Sequence, residues 1–254
     1  CRFQSLTAYP GRKLFEIHSS FKFALVIARR QGPTGQFNCA FYLHDDEWLF
    51  GERSERALTY TLRFVKQTGG EYLSLLELRS TADYQVARVC YQVPESFGEM
   101  CERLGIRLGR ELNMTDDAWR FTAADQVLAS EDDVRDPEIA RQMLNKGYLG
   151  LHEGKTFWHY DDRWEDPPRY LVLLSNLVDK PMYSSRARFF RFAYRTVASS
   201  TNERTAVSCI LPAGITCGHS VGIEQEAEQR RTFSAAALEA ITNSFTFDWC
   251  LRLM

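Results

Sequence analysis

The chain lacks any apolar run long enough to cross a bilayer as a helix, which takes roughly 20 residues. Its longest, Phe23-Ala24-Leu25-Val26-Ile27-Ala28, has the size of one strand. Paired cysteines are missing as well. The seven present (Cys1, Cys39, Cys90, Cys101, Cys209, Cys217 and Cys250) are odd in number, scattered and without a C-x-x-C. That usage argues against a zinc knuckle or a disulfide framework and for reduced thiols, so a cytoplasmic location is expected. His152 and His159 lie seven positions apart and lack the i, i+4 spacing of a helical metal pair, so no metal site is expected. Phosphate-cradling loops are absent: there is no G-x-G-x-x-G and no G-x-x-x-x-G-K-[ST]. No catalytic residue is assigned.

Apolar residues make up 44% of the 254 and aromatics 13%, enough to bury a core and to argue against disorder. The length suits one large domain or two modest ones. A break is expected near Pro94, where an acidic segment interrupted by glycines begins. The first residue is Cys1 and the last residues stop inside a helical pattern, so a piece of a longer protein is expected.

The formal net charge of −2 conceals local asymmetry. Arg186, Arg188, Arg191 and Arg195 come with no acid among them before Glu203. A mildly acidic chain still binds nucleic acid when its bases share a face.

Periodicity predicts a strand over Leu14 to Arg29, the turn Gln31-Gly32-Pro33-Thr34-Gly35, and a return strand in "FNCAFYL" that closes a hairpin. Helix-like stretches follow between Leu49 and Lys66, and "YLSLLEL" reads as a short strand. A helix is expected from Ala82 to Tyr91, ending before Pro94. Another runs from Pro137 to Leu144 and is stopped by Gly147. From there to Gly214 the pattern is strand-rich. A long helix is predicted over Ser234 to Leu253, with Leu238, Ile241, Phe245 and Trp249 on one stripe. The fold class expected is α+β.

Three segments bear on chemistry. "FRFAYRTVASSTNERTAVSCILPAG" reads as two strands joined by a polar loop. Alternation puts Phe190, Phe192 and Tyr194 on a core face and Arg191 and Arg195 on the other. The loop adds hydroxyls, an amide and Arg204, side chains that bond phosphate oxygens or base edges. An ordinary polar turn with surface ion pairs explains the same residues. "LHEGKTFWHYDDRW" interleaves Lys155, His159 and Arg163 with aromatics, as stacking sites for nucleotides do and as amphipathic hairpins also do. Its Glu153-Gly154-Lys155 imitates the tail of a metal-dependent nuclease motif, and its Trp158 and Trp164 would equally serve a protein-interaction module. "EDPPRY" carries Asp166-Pro167-Pro168-Arg169, read as a rigid turn before a strand; the aromatic that ends the amino-methyltransferase tetrad is Arg here.

The ordered set "FEIHSSFKFALVIAR", "RELNMTDDAWRF", "LHEGKTFWHYDDR", "PRYLV", "FRFAYRTVASSTNERTAVSCILP" and "ITNSFTFDWCLR" resembles the C-terminal half of adenine-N6 DNA methyltransferases. The relatives are type IIG restriction-modification enzymes and PglX-like methylases of phage defence. The resemblance implies that residues 1–93 end a catalytic α/β domain and that residues 94–254 form a target recognition domain, truncated at its end. S-adenosylmethionine would bind upstream, in the parent protein; this stretch carries no cofactor site and would not methylate alone. An aromatic that stacks on the flipped target base would be Phe15, with Phe21 the alternative. The implied DNA face comprises Lys155, His159, Arg163, Arg191, Arg195, Thr201, Asn202, Arg204 and Thr205. Glu203 would hold Arg204 or Arg195, and Asn243 and Asp248 would be internal hydrogen-bonding positions. Double-stranded DNA is the implied partner, with other subunits of a defence or restriction complex beside it.

Overall fold

The computed structural model describes residues 2–4, 22–30, 32–43, 56–198, 202–229 and 232–253. Phe15, Phe21 and Thr201 lie outside the described residues. The chain divides into two compact units, Cys1–Pro94 with Leu253–Met254, and Glu95–Arg252. Mixed α and β elements in several separate sheets make the class α+β.

In the first unit, β1 (Arg2–Gln4) pairs antiparallel with β2 (Lys22–Ala24), and β3 (Gln36–Cys39) with β4 (Leu58–Thr61). The return strand expected to close a hairpin on the preceding segment therefore pairs with β4 instead. Ring packing decides this. Phe37 sits opposite Tyr60, and the fully buried Tyr60 ring also meets Phe64 edge-on at 4.9 Å and stacks on Tyr84 at 5.6 Å. Its hydroxyl donates to the Leu76 carbonyl at 2.9 Å, so the ring is buried without an unsatisfied donor. By contrast Val26 and Ile27, expected in a strand, lie in irregular chain and are 82% and 101% exposed. "YLSLLEL" is not a strand: it is a 3-10 turn over Gly70–Tyr72 and then irregular chain, although Leu76 and Leu78 are buried. Helix α1 (Leu62–Gly69) is capped by Thr61, whose hydroxyl accepts from the Phe64 N–H. Helix α2 (Thr81–Cys90) starts on a reciprocal Ser80–Asp83 capping box.

The second unit opens with α3 (Phe97–Arg103), capped by Ser96 and Glu99, then β5 (Leu108–Gly109) and β6 (Phe121–Ala123). Helix α4 (Pro137–Asn145) has Asp136 as its cap and Pro at its start. It ends where Gly147 takes φ +85°, a conformation only glycine adopts cheaply. Strands β7 (Tyr148–His152) and β8 (Tyr170–Leu173) follow; bends through "EDPPR" deliver the chain into β8. Then come α5 (Pro181–Arg186), β9 (Arg191–Arg195), β10 (Ser208–Leu211), β11 (Ile215–Cys217) and β12 (Val221–Glu224). One sheet has the order β10-β9-β12-β5, antiparallel throughout. The other has the order β11-β7-β8-β6, with β11 parallel to β7 and the remaining pairs antiparallel.

The final helix is two helices, α6 (Thr232–Thr242) and α7 (Phe245–Arg252). Ser244 breaks the expected single run: its hydroxyl accepts from the Phe247 N–H at 3.1 Å and starts α7 afresh. The predicted stripe breaks with it, since Leu238 is buried while Phe245 is 82% exposed.

Strand β9 is covered on both faces. Phe192 packs with Cys101, Ile106 and Leu238, and Ala193 with Phe157, Val207 and Cys209. Alternation along β9 therefore separates two interiors, not a core from solvent. Phe190, expected in the core, lies just before the strand and is partly exposed.

Candidate nucleic-acid interface

Two polar segments converge beside β9. The first leaves β7 at His152 and makes a 3-10 turn over Gly154–Thr156. Gly154 donates its N–H to the Ser220 hydroxyl at 3.0 Å. The approach is close: a Cβ on Gly154 would sit 3.2 Å from the Ser220 carbonyl oxygen and 3.6 Å from the Arg195 Cγ. The turn holds Lys155 out to solvent. Behind it, Thr156 Oγ1 meets His152 Nδ1 at 2.7 Å. The Glu153 carboxylate is gripped by Arg169, with Nε and Nη2 each 2.9 Å from one oxygen.

The second segment is the loop between β9 and β10. Arg195, the last residue of β9, donates to the Phe157 carbonyl and lies 4.5 Å above the Trp158 ring. Trp158 in turn stacks on Trp164 at 5.5 Å. Burial lowers the Arg195 pKa below its ordinary value against the pull of Glu165, yet a guanidinium stays charged at neutral pH. Its Nε is enclosed and has no hydrogen-bond partner. Glu153, Gly154, Lys155, Arg195, Val197 and Ser220 line one open cleft of about 300 Å³.

The far side of the loop is held from beneath. Asp248 on α7 accepts from the N–H groups of Thr205 and Ala206, each at 2.6 Å, and its other oxygen lies 3.5 Å from Arg204 Nε. Arg204 also donates to the Asn243 carbonyl at 2.6 Å and covers the Phe245 ring at 4.4 Å. Asn243 holds both Ser208 backbone groups and meets His159 Nδ1 at 2.7 Å. Burial depresses the His159 pKa, with the Asn243 bond opposing it. The Asn202 and Glu203 carbonyls accept from Arg252. No ion pair joins Glu203 to Arg204 or Arg195; the arginine partners are Asp248, Asn243 and Phe157 instead.

Arg191 is not on a face at all. It is 1% exposed, and its Nη1 lies 2.5 Å from Glu111 Oε1 while Nη2 donates to the Ile215 carbonyl at 2.6 Å. Glu111 also accepts from the Thr216 hydroxyl and the Cys217 N–H, both at 3.0 Å. Burial, the largest influence, works against the guanidinium's charge, but the Glu111 charge and hydrogen bond together with Cys217 and Glu224 raise the pKa above the ordinary value. The expected DNA-facing role of Arg191 is thus corrected: β9 is covered on both sides, and its first arginine serves an internal pair. Arg163 stands on the surface, 3.4 Å from Asp136. Lys155 and Arg195 are brought together; His159, Arg204 and Thr205 belong to the Asn243–Asp248 clasp. Sequence reasoning missed Glu111, Arg169 and Ser220, whose partners lie 80, 16 and 66 positions away.

Among the described residues no three His, Cys, Asp or Glu side chains gather as a metal would require, and no cysteine forms a disulfide. No described helix is long and apolar enough to cross a membrane. The chain matches no family model, and a search of curated proteins found no significant relative.

Two predictions follow from the supports of this region. Asp248→Ala leaves the Thr205 and Ala206 N–H groups without their acceptor, so it is expected to cost about 2 kcal/mol in urea unfolding. Asp248→Asn keeps one acceptor and should cost less. The second concerns His152, whose pKa burial depresses from 6.5 to about 3, with Arg135 adding to the effect and Asp133 opposing it. A histidine kept neutral in the fold is protonated first in the unfolded chain. Its contribution is complete above the unfolded pKa of about 6.5 and is lost as pH falls toward 3. Stability should drop by about 1.5 kcal/mol between pH 6.5 and about pH 5, and His152→Asn should flatten that slope.

Proposed function

We propose that the Glu95–Arg252 unit binds double-stranded DNA as the target recognition region of an S-adenosylmethionine-dependent adenine-N6 DNA methyltransferase. The parent would serve restriction-modification or phage defence in the cytoplasm, with residues 1–93 ending its catalytic domain. Cofactor binding and methyl transfer belong to the parent's upstream motifs, and this chain alone is expected to be inactive.

The observation that carries the reading is the cleft between the Lys155 turn and the end of β9. Two cations line it, and its one carboxylate, Glu153, is neutralised by Arg169. Outside the cleft, Arg163 is a further exposed cation of the unit, because an exposed pair such as Arg163–Asp136 is worth little and exchanges readily for phosphate. The polar stretch around Asn202 and Thr205 is held by α7. Resemblance in the ordered motifs supplies the methyltransferase class; the cleft supplies the polyanion.

The competing readings have less to stand on. A nuclease around Glu153 and Lys155 needs converging carboxylates, and Glu153 is spent on Arg169 with no acidic cluster among the described residues. A protein-docking face on Trp158 and Trp164 is partly used up by their mutual stacking. Binding of the chain to a labelled duplex over a salt series tests the proposal.

A further inference from the structure

We propose that the cleft lined by Lys155 and Arg195 seats a single phosphodiester of the DNA backbone, and so sets register without reading sequence. The inference rests on the DNA-binding reading above and adds the chemistry of this contact.

Its basis is the inventory of donors and acceptors. Ser220 Oγ already accepts from Gly154, and the Ser220 carbonyl accepts from the Thr196 N–H at 3.0 Å. Both Glu153 oxygens are held by Arg169. The Gly154 N–H is spent on Ser220. What remains is donors: the exposed Lys155 ammonium, and the half-buried Arg195 guanidinium, which lines the cleft and donates to the Phe157 carbonyl. Adenine and cytosine bring donors to the major groove, whereas a phosphate presents acceptors alone. Arg195 is also pinned by its bond to Phe157 and its stacking on Trp158, so its cation is fixed before a ligand arrives. An open cleft of about 300 Å³ admits a phosphate with chain continuing on either side. Acceptors alone are also presented by guanine in the major groove and by A·T pairs in the minor groove, and reading either would impose sequence dependence.

The test uses the whole chain, two duplexes (one all A·T, one G·C-rich) and a salt series. Lys155→Ala should lower the slope of log affinity against log salt by about 1, equally on both duplexes. Gly154→Ala should weaken binding too, because its Cβ crowds the carbonyl of Ser220, the residue on which the Lys155 turn docks. A control titration follows tryptophan fluorescence with inorganic phosphate, Trp158 on Arg195 being the reporter. A saturable change that Lys155→Ala abolishes supports the anion site, and this arm separates free phosphate from duplex. An unchanged slope in Lys155→Ala, with the wild-type chain bound to duplex, overturns the phosphate contact but not the DNA reading. A loss confined to one of the two duplexes overturns it in favour of base reading. If the wild-type chain binds neither duplex, the DNA reading falls and the phosphodiester assignment with it, whatever inorganic phosphate does.

Discussion

Arg191→Met is expected to destabilise the Glu95–Arg252 unit by about 3–5 kcal/mol, the usual cost of stranding a buried charge. Glu111 would keep its bonds from Thr216 and Cys217 but lose its countercharge in a buried site. The Ile215 carbonyl would lose its donor as well. Glu111→Leu combined with Arg191→Met removes both charges and should recover part of the loss. Recovery stays partial because the Cys217 N–H and the Ile215 carbonyl remain without partners. Urea unfolding of the four chains closes the cycle. An arginine that faces DNA would behave oppositely, with stability unchanged and affinity reduced. A cost under about 1 kcal/mol for Arg191→Met would therefore return Arg191 to the surface.

Duplex affinity should fall about tenfold between 50 and 200 mM salt if only Lys155 and Arg195 meet phosphates, because each neutralised phosphate releases counterions. Further contacts, Arg163 among them, steepen the fall. Lys155→Ala combined with Arg163→Ala removes two exposed cations without touching the core, so binding should weaken while the urea midpoint holds. Arg204→Ala should do the reverse in part. Its guanidinium is bound to the Asn243 carbonyl and placed over Phe245, so its loss loosens the α7 clasp first.

Elements bounded by local chemistry were legible in the sequence. Helix α4 begins on Asp136-Pro137 and stops at Gly147 as its caps dictate. Helix α2 and the β9–β10 pair were legible for the same reason. Errors arose where distant residues decide. The apolar run through Ile27 carried no sign that β3 would pair with a strand twenty residues later, where Tyr60 supplies the packing. The β9 alternation correctly separated two faces, but it does not report that both are covered; Glu111, 80 positions away, determines the fate of Arg191. Lys155 and Arg195 could each be named as cations. Their meeting in one cleft depends on Gly154 docking on Ser220, a contact across 66 positions with no sequence signal.

The most direct test is fluorescence anisotropy of a labelled duplex titrated with the wild-type chain from 50 to 200 mM salt. The account predicts saturable binding at the lowest salt and a log–log slope of about −2 or steeper. Absence of binding at 50 mM, or an affinity indifferent to salt, would contradict it.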